Sequence, residues 1–168
     1  MPPRSKSRLS LQDRKWLLKA IELSKHSPKR CASYAVGALI VESQEKLIGS
    51  GYSLEWGSGW HAEAIAIDKA LRHRAHLNGL TLYTSMEPCS VRRSGRRSCT
   101  DAIIASGLSN VVYAWKEPPI FVDCQGTAIL RKHGVEVHHL NALSSLAMAV
   151  NRHLLGSPPH SKPPPRAR

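Results

Sequence analysis

His61-Ala62-Glu63, Pro88-Cys89 and Cys99 lie in separate parts of the chain, yet their side chains form one chemical set. One imidazole and two thiolates hold a zinc ion with a fourth tetrahedral position left for water, the arrangement of a catalytic rather than a structural site. Any fold the chain adopts has to bring these segments to one point. Glu63, two residues beyond the His, is then placed to move protons. The competing reading is a closed structural site with a fourth ligand from His73 or His76, and it leaves Glu63 without a role.

The hydrophobic pattern supplies the elements that could do this. Ser10 with Asp13 three positions on is a capping-box arrangement, and Leu11, Trp16, Leu17, Ala20, Ile21 and Ser24 recur at helical spacing to about residue 26, before Pro28. Residues 36–41 read as a strand and 46–52 as its hairpin partner across a polar turn. After a glycine-containing loop over 53–60, a helix is predicted over 61–76, with Ala62, Ile65, Ala66 and Ala70 on its apolar side. Strands over 80–84, 110–115 and 135–139 alternate with helices over 100–106 and 124–133, the latter two stopped by Gly107 and Gly134. A terminal helix over 142–155 carries Leu143, Leu146, Val150 and Leu154 on one side. A hairpin followed by helical crossovers gives an α/β layered domain around a mixed five-stranded sheet.

The site falls naturally on this scaffold. His61 and Glu63 stand where a loop turns into a helix, and Cys99 stands at the start of the next short one. Helix starts present free N–H groups and a positive dipole end, which favour a thiolate. A zinc ion on His61, Cys89 and Cys99 lowers the pKa of a bound water from 15.7 towards ~7. Glu63 is then the proton carrier, and Glu87 is a candidate acceptor for a substrate amine.

The chain holds 24 Lys+Arg against 12 Asp+Glu, a net charge of +12. Such an excess points to an anionic ligand, a phosphorylated substrate or nucleic acid. Much of it, however, sits at the ends: Arg4, Lys6 and Arg8 in a basic segment over 1–9 read as flexible, and Lys162, Arg166 and Arg168 in a Pro-rich tail over 157–168. Nucleic acid is therefore not the favoured partner. No stretch has the ~18 uncharged apolar residues of a membrane helix and no signal peptide is recognisable, so a cytoplasmic location without membrane contact is expected. Four Cys make a poor disulfide framework, and Cys31 and Cys124 read as buried thiols.

With these motifs in place, the chain resembles the cytidine-deaminase-like superfamily. Val36-Gly37-Ala38, His61-Ala62-Glu63 and Glu87-Pro88-Cys89 stand in that family's order, and the likeness covers about residues 11–140. The nine residues between Cys89 and Cys99, then Cys99-Thr100-Asp101-Ala102-Ile103-Ile104, look like the deaminase domain of the bifunctional riboflavin-pathway enzyme, here without the reductase domain. Leu82 through Ser90 and Gly126 through Val137 are similar to that branch too. The resemblance implies a three-layer α/β/α fold, bound Zn²⁺ and hydrolytic deamination of a pyrimidine by a domain over 10–156. It also implies a homo-oligomer, a dimer or tetramer.

The departures bear on the substrate. Ser33-Tyr34-Ala35 stands where the branch carries Pro-Asn-Pro, and Ser53 where nucleoside-binding members often carry Asn, which makes Ser33 and Ser53 candidate substrate contacts. Arg92, Arg93, Arg96 and Arg97 replace the usual insert between the two Cys; Arg forks suit a ribose-phosphate. Lys116 is a second phosphate candidate. The expected activity is removal of an exocyclic amine from a small pyrimidine nucleotide or related aminopyrimidine. The alternatives are a cytidine, deoxycytidylate or other nucleobase deaminase, a tRNA or nucleic-acid base deaminase, and a non-enzymatic zinc module.

Overall fold

In a computed structural model, the structure describes residues 9–30, 32–43, 45–92, 95–119 and 123–155. The basic N-terminal segment up to residue 8, the Pro-rich tail, Cys31 and Arg93 lie outside the described residues. Helix α1 spans Leu11–Ser24, followed by strands β1 (Gly37–Glu42) and β2 (Lys46–Tyr52) and helix α2 (Ala62–Leu71). Strand β3 (Thr81–Met86), α3 (Cys99–Ser106), β4 (Asn110–Trp115), α4 (Gly126–Lys132) and β5 (Glu136–His139) come next. A 3-10 turn (Asn141–Leu143), α5 (Ser144–Val150) and α6 (Arg152–Leu155) complete the described chain.

The strands form one mixed sheet in the order β2-β1-β3-β4-β5. β1 is antiparallel to both β2 and β3, while β3–β4 and β4–β5 are parallel, as the hairpin and the helical crossovers lead one to expect. Glycines show which helix covers which face. Ala38 pairs with Gly51, and a Cβ on Gly51 would come within 2.7 Å of the Ala62 carbonyl of α2. A Cβ on the next residue, Gly37, would come within 2.1 Å of the Ala20 carbonyl of α1. Neighbouring strand residues point to opposite faces, so α1 and α2 lie on opposite sides of the sheet. α5 joins α1 on its side, and α3 and α4 continue the layer of α2. The result is three layers, α/β/α.

Local sequence explains the entry. Ser10 caps α1 by a reciprocal box with Asp13: the Asp13 N–H donates to Ser10 Oγ at 3.1 Å and the Ser10 N–H to Asp13 Oδ2 at 2.8 Å. The other oxygen of Asp13 accepts from the buried Tyr83 hydroxyl at 2.7 Å, so the cap also docks the helix on the centre of the sheet. Trp16, Leu17, Ala20 and Ile21 face the sheet as their spacing predicts, but Leu11, in the first turn, is 85% exposed.

Two helix ends differ from expectation. α2 stops at Leu71 rather than reaching residue 76, because its buried stripe ends at Ala70 and nothing beyond gains from helical packing. The terminal helix is broken at Asn151, whose side chain bonds to the backbone of Ala35 instead of pointing to solvent. Its inward residues are Leu143, Ala147 and Leu154, while Leu146 is 46% exposed. No helix among the described residues is long and apolar enough to cross a membrane.

Candidate active site

Three segments meet at the carboxyl ends of the parallel strands. His61 is the N-cap residue of α2, with extended backbone and no capping hydrogen bond from its side chain, so its imidazole is turned to the site. Cys89 follows the end of β3. Cys99 opens α3, whose N-cap Ser98 accepts from the Asp101 N–H at 3.1 Å. Two further bonds lock the cysteine segments together: the Thr100 N–H donates to the Cys89 carbonyl at 3.1 Å and the Cys99 N–H to Cys89 Sγ at 3.3 Å.

His61 Nδ1 lies 3.5 Å from Cys89 Sγ and 3.3 Å from Cys99 Sγ. All three ligand atoms fall within 4.8 Å of one another, and among the described residues no other group of His, Cys, Asp or Glu is gathered in this way. His73 and His76 do not join it. The donor set suits a tetrahedral zinc ion with one position to spare. The Cys89 thiol is pushed well below the usual range, chiefly by the Cys99 thiol donating to it and also by His61. Cys99 is pushed up by the same hydrogen bond and by burial. One of the two sulfurs is thus already prepared as a thiolate.

Glu63 sits in the first turn of α2, 3% exposed. Its Oε1 accepts from the Thr84 hydroxyl at 3.1 Å and its Oε2 lies 3.4 Å from Cys99 Sγ. Burial raises its pKa, against the opposing pull of His61. The carboxyl therefore holds a proton more readily than a surface Glu, and it is pinned beside the His–Cys–Cys cluster without belonging to it.

A cavity of about 400 Å³ opens above this group. Of the expected substrate contacts, Ser33, Ser53, Glu87 and Arg92 line it. Ser53 Oγ is engaged by the Val36 N–H at 3.0 Å. Glu87 Oε1 accepts from the Thr127 N–H at 3.0 Å and its hydroxyl at 2.7 Å, which ties the start of α4 to the end of β3, while Oε2 is buried with no partner. The Arg92 guanidinium is held by the carbonyls of Gly59 and Arg97. Arg96 and Arg97 are exposed and are not part of the lining, and Arg96 stacks over the Trp60 ring. Lys116 is exposed, and its neighbour Glu117 takes the place on the wall.

Sequence reasoning missed Arg30, Tyr34 and Glu117, all in the lining. A usable signal existed for Glu117: ligands of open α/β sheets bind beyond the carboxyl ends of the strands, and Glu117 follows β4 by two residues. Arg30 and Tyr34 lie in an irregular segment between α1 and β1, where no periodicity indicates direction.

Comparison with known proteins agrees with this geometry. Residues 10–115 match the family described as the cytidine and deoxycytidylate deaminase zinc-binding region. The chain is 40% identical over 124 residues to a diaminohydroxyphosphoribosylamino-pyrimidine deaminase of Schizosaccharomyces pombe, covering 73% of this chain and 30% of that one. It is 34% identical over 129 residues to the protein of the same name from Buchnera aphidicola, covering 76% of this chain and 83% of that one. Among solved structures, the diaminohydroxyphosphoribosylaminopyrimidine deaminase/5-amino-6-(5-phosphoribosylamino)uracil reductase of Thermotoga maritima superposes with a TM-score of 0.71 at 31% identity, covering 84% of this chain and 39% of that one. The chain thus spans about a third of the length of the yeast relative and most of the Buchnera one. On the match over residues 10–115 and the fold and motifs that accompany it, the chain belongs to the cytidine and deoxycytidylate deaminase family.

Proposed function

We propose that this chain is a zinc-dependent hydrolytic deaminase of a small aminopyrimidine nucleotide, of the diaminohydroxyphosphoribosylamino-pyrimidine kind that its relatives are named for. The observation that carries the reading is the meeting of His61, Cys89 and Cys99 beside a cavity that His61, Cys89 and Glu63 line. The overall change is C–NH2 plus water to C=O plus ammonia.

His61, Cys89 and Cys99 would hold the zinc. When bound, the ion supplies a Lewis acid that activates water near neutral pH. Glu63 takes a proton from the water, gives it to a ring nitrogen and then carries one to the departing amine. The Thr84 hydroxyl keeps that carboxyl fixed, and burial readies it to hold the proton between these steps. Arg92, already oriented by two carbonyls, and Arg30 suit the phosphate end of the substrate.

The same reading takes residues 10–156 as one deaminase domain, the chain as a cytoplasmic homo-oligomer, and the segments at either end as dispensable. Cell fractionation and sedimentation check location and assembly. Deleting residues 157–168 should leave turnover of a small substrate unchanged, since among the described residues the cavity lining runs from Arg30 to Glu117.

The central test measures metal and ammonia together. Cys89→Ser and Cys99→Ser should lose stoichiometric zinc. Glu63→Gln should keep zinc and lose turnover of the diaminohydroxyphosphoribosylaminopyrimidine by a factor of ~10²–10⁴, the usual worth of a general acid–base group. Ammonia release from tRNA alone, or a Glu63→Gln protein as active as the parent, would overturn the proposal.

A further inference from the structure

Glu117 is a carboxyl that the chemistry above leaves without a task. It lines the same cavity as His61, Glu63 and Cys89. None of the ion pairs among the described residues includes it. The charges that act on it, those of Cys89, Glu63 and Glu87, are all of its own sign. The Cys124 thiol is in hydrogen-bond contact with it, but a thiol has one proton to give, and Cys124 Sγ also lies 3.4 Å from the Pro88 carbonyl. Burial pushes the Glu117 carboxyl up to about 7. An acceptor on the cavity wall that takes part in none of those ion pairs calls for an N–H donor brought by the ligand.

Pyrimidines differ in whether they can bring one. A deaminase uses up one exocyclic amine at the reacting carbon. The cytosine ring of a nucleotide has no other N–H to offer. A pyrimidine bearing two amines and a ribosylamino group keeps an amine and a secondary N–H after one amine is committed. We infer that Glu117 sets the substrate class, accepting the N–H donors that a polyaminated pyrimidine carries beyond the amine it loses and disfavouring cytosine nucleotides, which would leave it unpaired. This rests on the deaminase reading and deepens it. A site built around such a hydrogen bond rejects an analogue that lacks the donor by ~10⁴–10⁵, whereas apolar lining alone separates ligands by only ~10–200-fold. The discrimination therefore belongs to a polar group, and the partner that competes with the substrate at Glu117 is the Cys124 thiol, a weak donor shared with the Pro88 carbonyl.

The experiment uses the full zinc-loaded chain and two probes, 5,6-diaminouracil and uracil, whose binding is followed by calorimetry in wild type, Glu117→Leu and Glu117→Ala. Wild type should favour 5,6-diaminouracil by about tenfold or more, the worth of one net hydrogen bond. Both variants should lower that preference towards parity while keeping zinc and a folded melt; the alanine variant serves if the leucine one does not fold. Equal binding of the two probes by wild type, binding of neither, or a preference that survives in the variants overturns the inference. Turnover is scored separately. A protein that favours 5,6-diaminouracil yet releases no ammonia from the diaminohydroxyphosphoribosylaminopyrimidine refutes the reaction and leaves the assignment of Glu117 standing. A protein that turns it over while the variants keep the preference refutes the assignment alone.

Discussion

The Asn151 side chain engages both backbone groups of Ala35: Oδ1 accepts from the Ala35 N–H at 2.8 Å, and Nδ2 donates to the Ala35 carbonyl at 3.1 Å. A residue from the last described turn of the chain thus fixes the segment in which Ser33, Tyr34 and Val36 wall the cavity. Nδ2 also reaches the Ala147 carbonyl at 3.1 Å, and the whole side chain is 2% exposed.

Asn151 makes its bonds in a buried setting. Asn151→Leu leaves a buried N–H and a buried carbonyl unpaired, each costing about 1–3 kcal/mol. Chemical denaturation should show a loss of ~2–6 kcal/mol on that basis. Asn151→Asp keeps the acceptor for the Ala35 N–H but sets a carboxylate oxygen against the Ala35 and Ala147 carbonyls, so its loss should shrink as pH falls and the carboxyl gains a proton to donate. An unchanged midpoint for the leucine variant would mean that the segment is held by other contacts.

The sequence made the scaffold and the His–Cys–Cys cluster legible, the scaffold because it rests on short-range signals. The Ser10–Asp13 box, the hairpin and Gly107 at the end of α3 act within a few residues, and all are in place. The His–Cys–Cys set was readable because zinc chemistry restricts residue types so severely. What could not be read was direction within irregular segments. Arg92 and Arg96 look alike in sequence, yet one is tied to the Gly59 carbonyl on the cavity wall and the other stacks on Trp60 outside it. The role of Asn151 was hidden for the same reason: its partner lies 116 residues away, and a lone Asn in an apolar helix pattern carries no sign of it.

Gly126 opens α4 so close to the metal loop that a Cβ would meet the Pro88 carbonyl at 2.0 Å. Backbone cannot yield as a flexible side chain does. Gly126→Ala should therefore push α4 away from Pro88-Cys89 and cost about 1–3 kcal/mol, as overpacking does. It should also weaken zinc retention against a chelator. Melting and chelation on one preparation check both effects, and a variant with parental zinc retention would show that the two segments move independently.

Glu117 predicts a pH dependence of stability. Its folded pKa, about 7, stands above the ordinary 4.5, so folding favours the protonated carboxyl. The stability it contributes is present below about 4.5 and is lost as pH rises through about 7. Glu117→Gln, neutral throughout, should gain on the wild type steadily across that window and be the more stable protein at higher pH. Parallel curves for the two proteins would place Glu117 in a well-solvated setting.

Thr84 offers the sharpest test of how Glu63 is tuned. The Thr84 hydroxyl is fully buried and lies 3.1 Å from both Glu63 Oε1 and the Met86 carbonyl. It has one proton, and an ionised carboxylate is the stronger acceptor. The bond therefore favours the charged form of Glu63, opposing the burial that raises its pKa. Thr84→Val keeps the shape and removes the donor, so the Glu63 pKa should rise further. In the proposed mechanism Glu63 acts first as a base, so the acidic limb of the kcat/KM profile should move to higher pH. Zinc content should stay at the parental level, since the Thr84 hydroxyl bonds to Glu63 and Met86 rather than to His61, Cys89 or Cys99. An unshifted limb with reduced zinc would instead assign Thr84 to holding the metal loop.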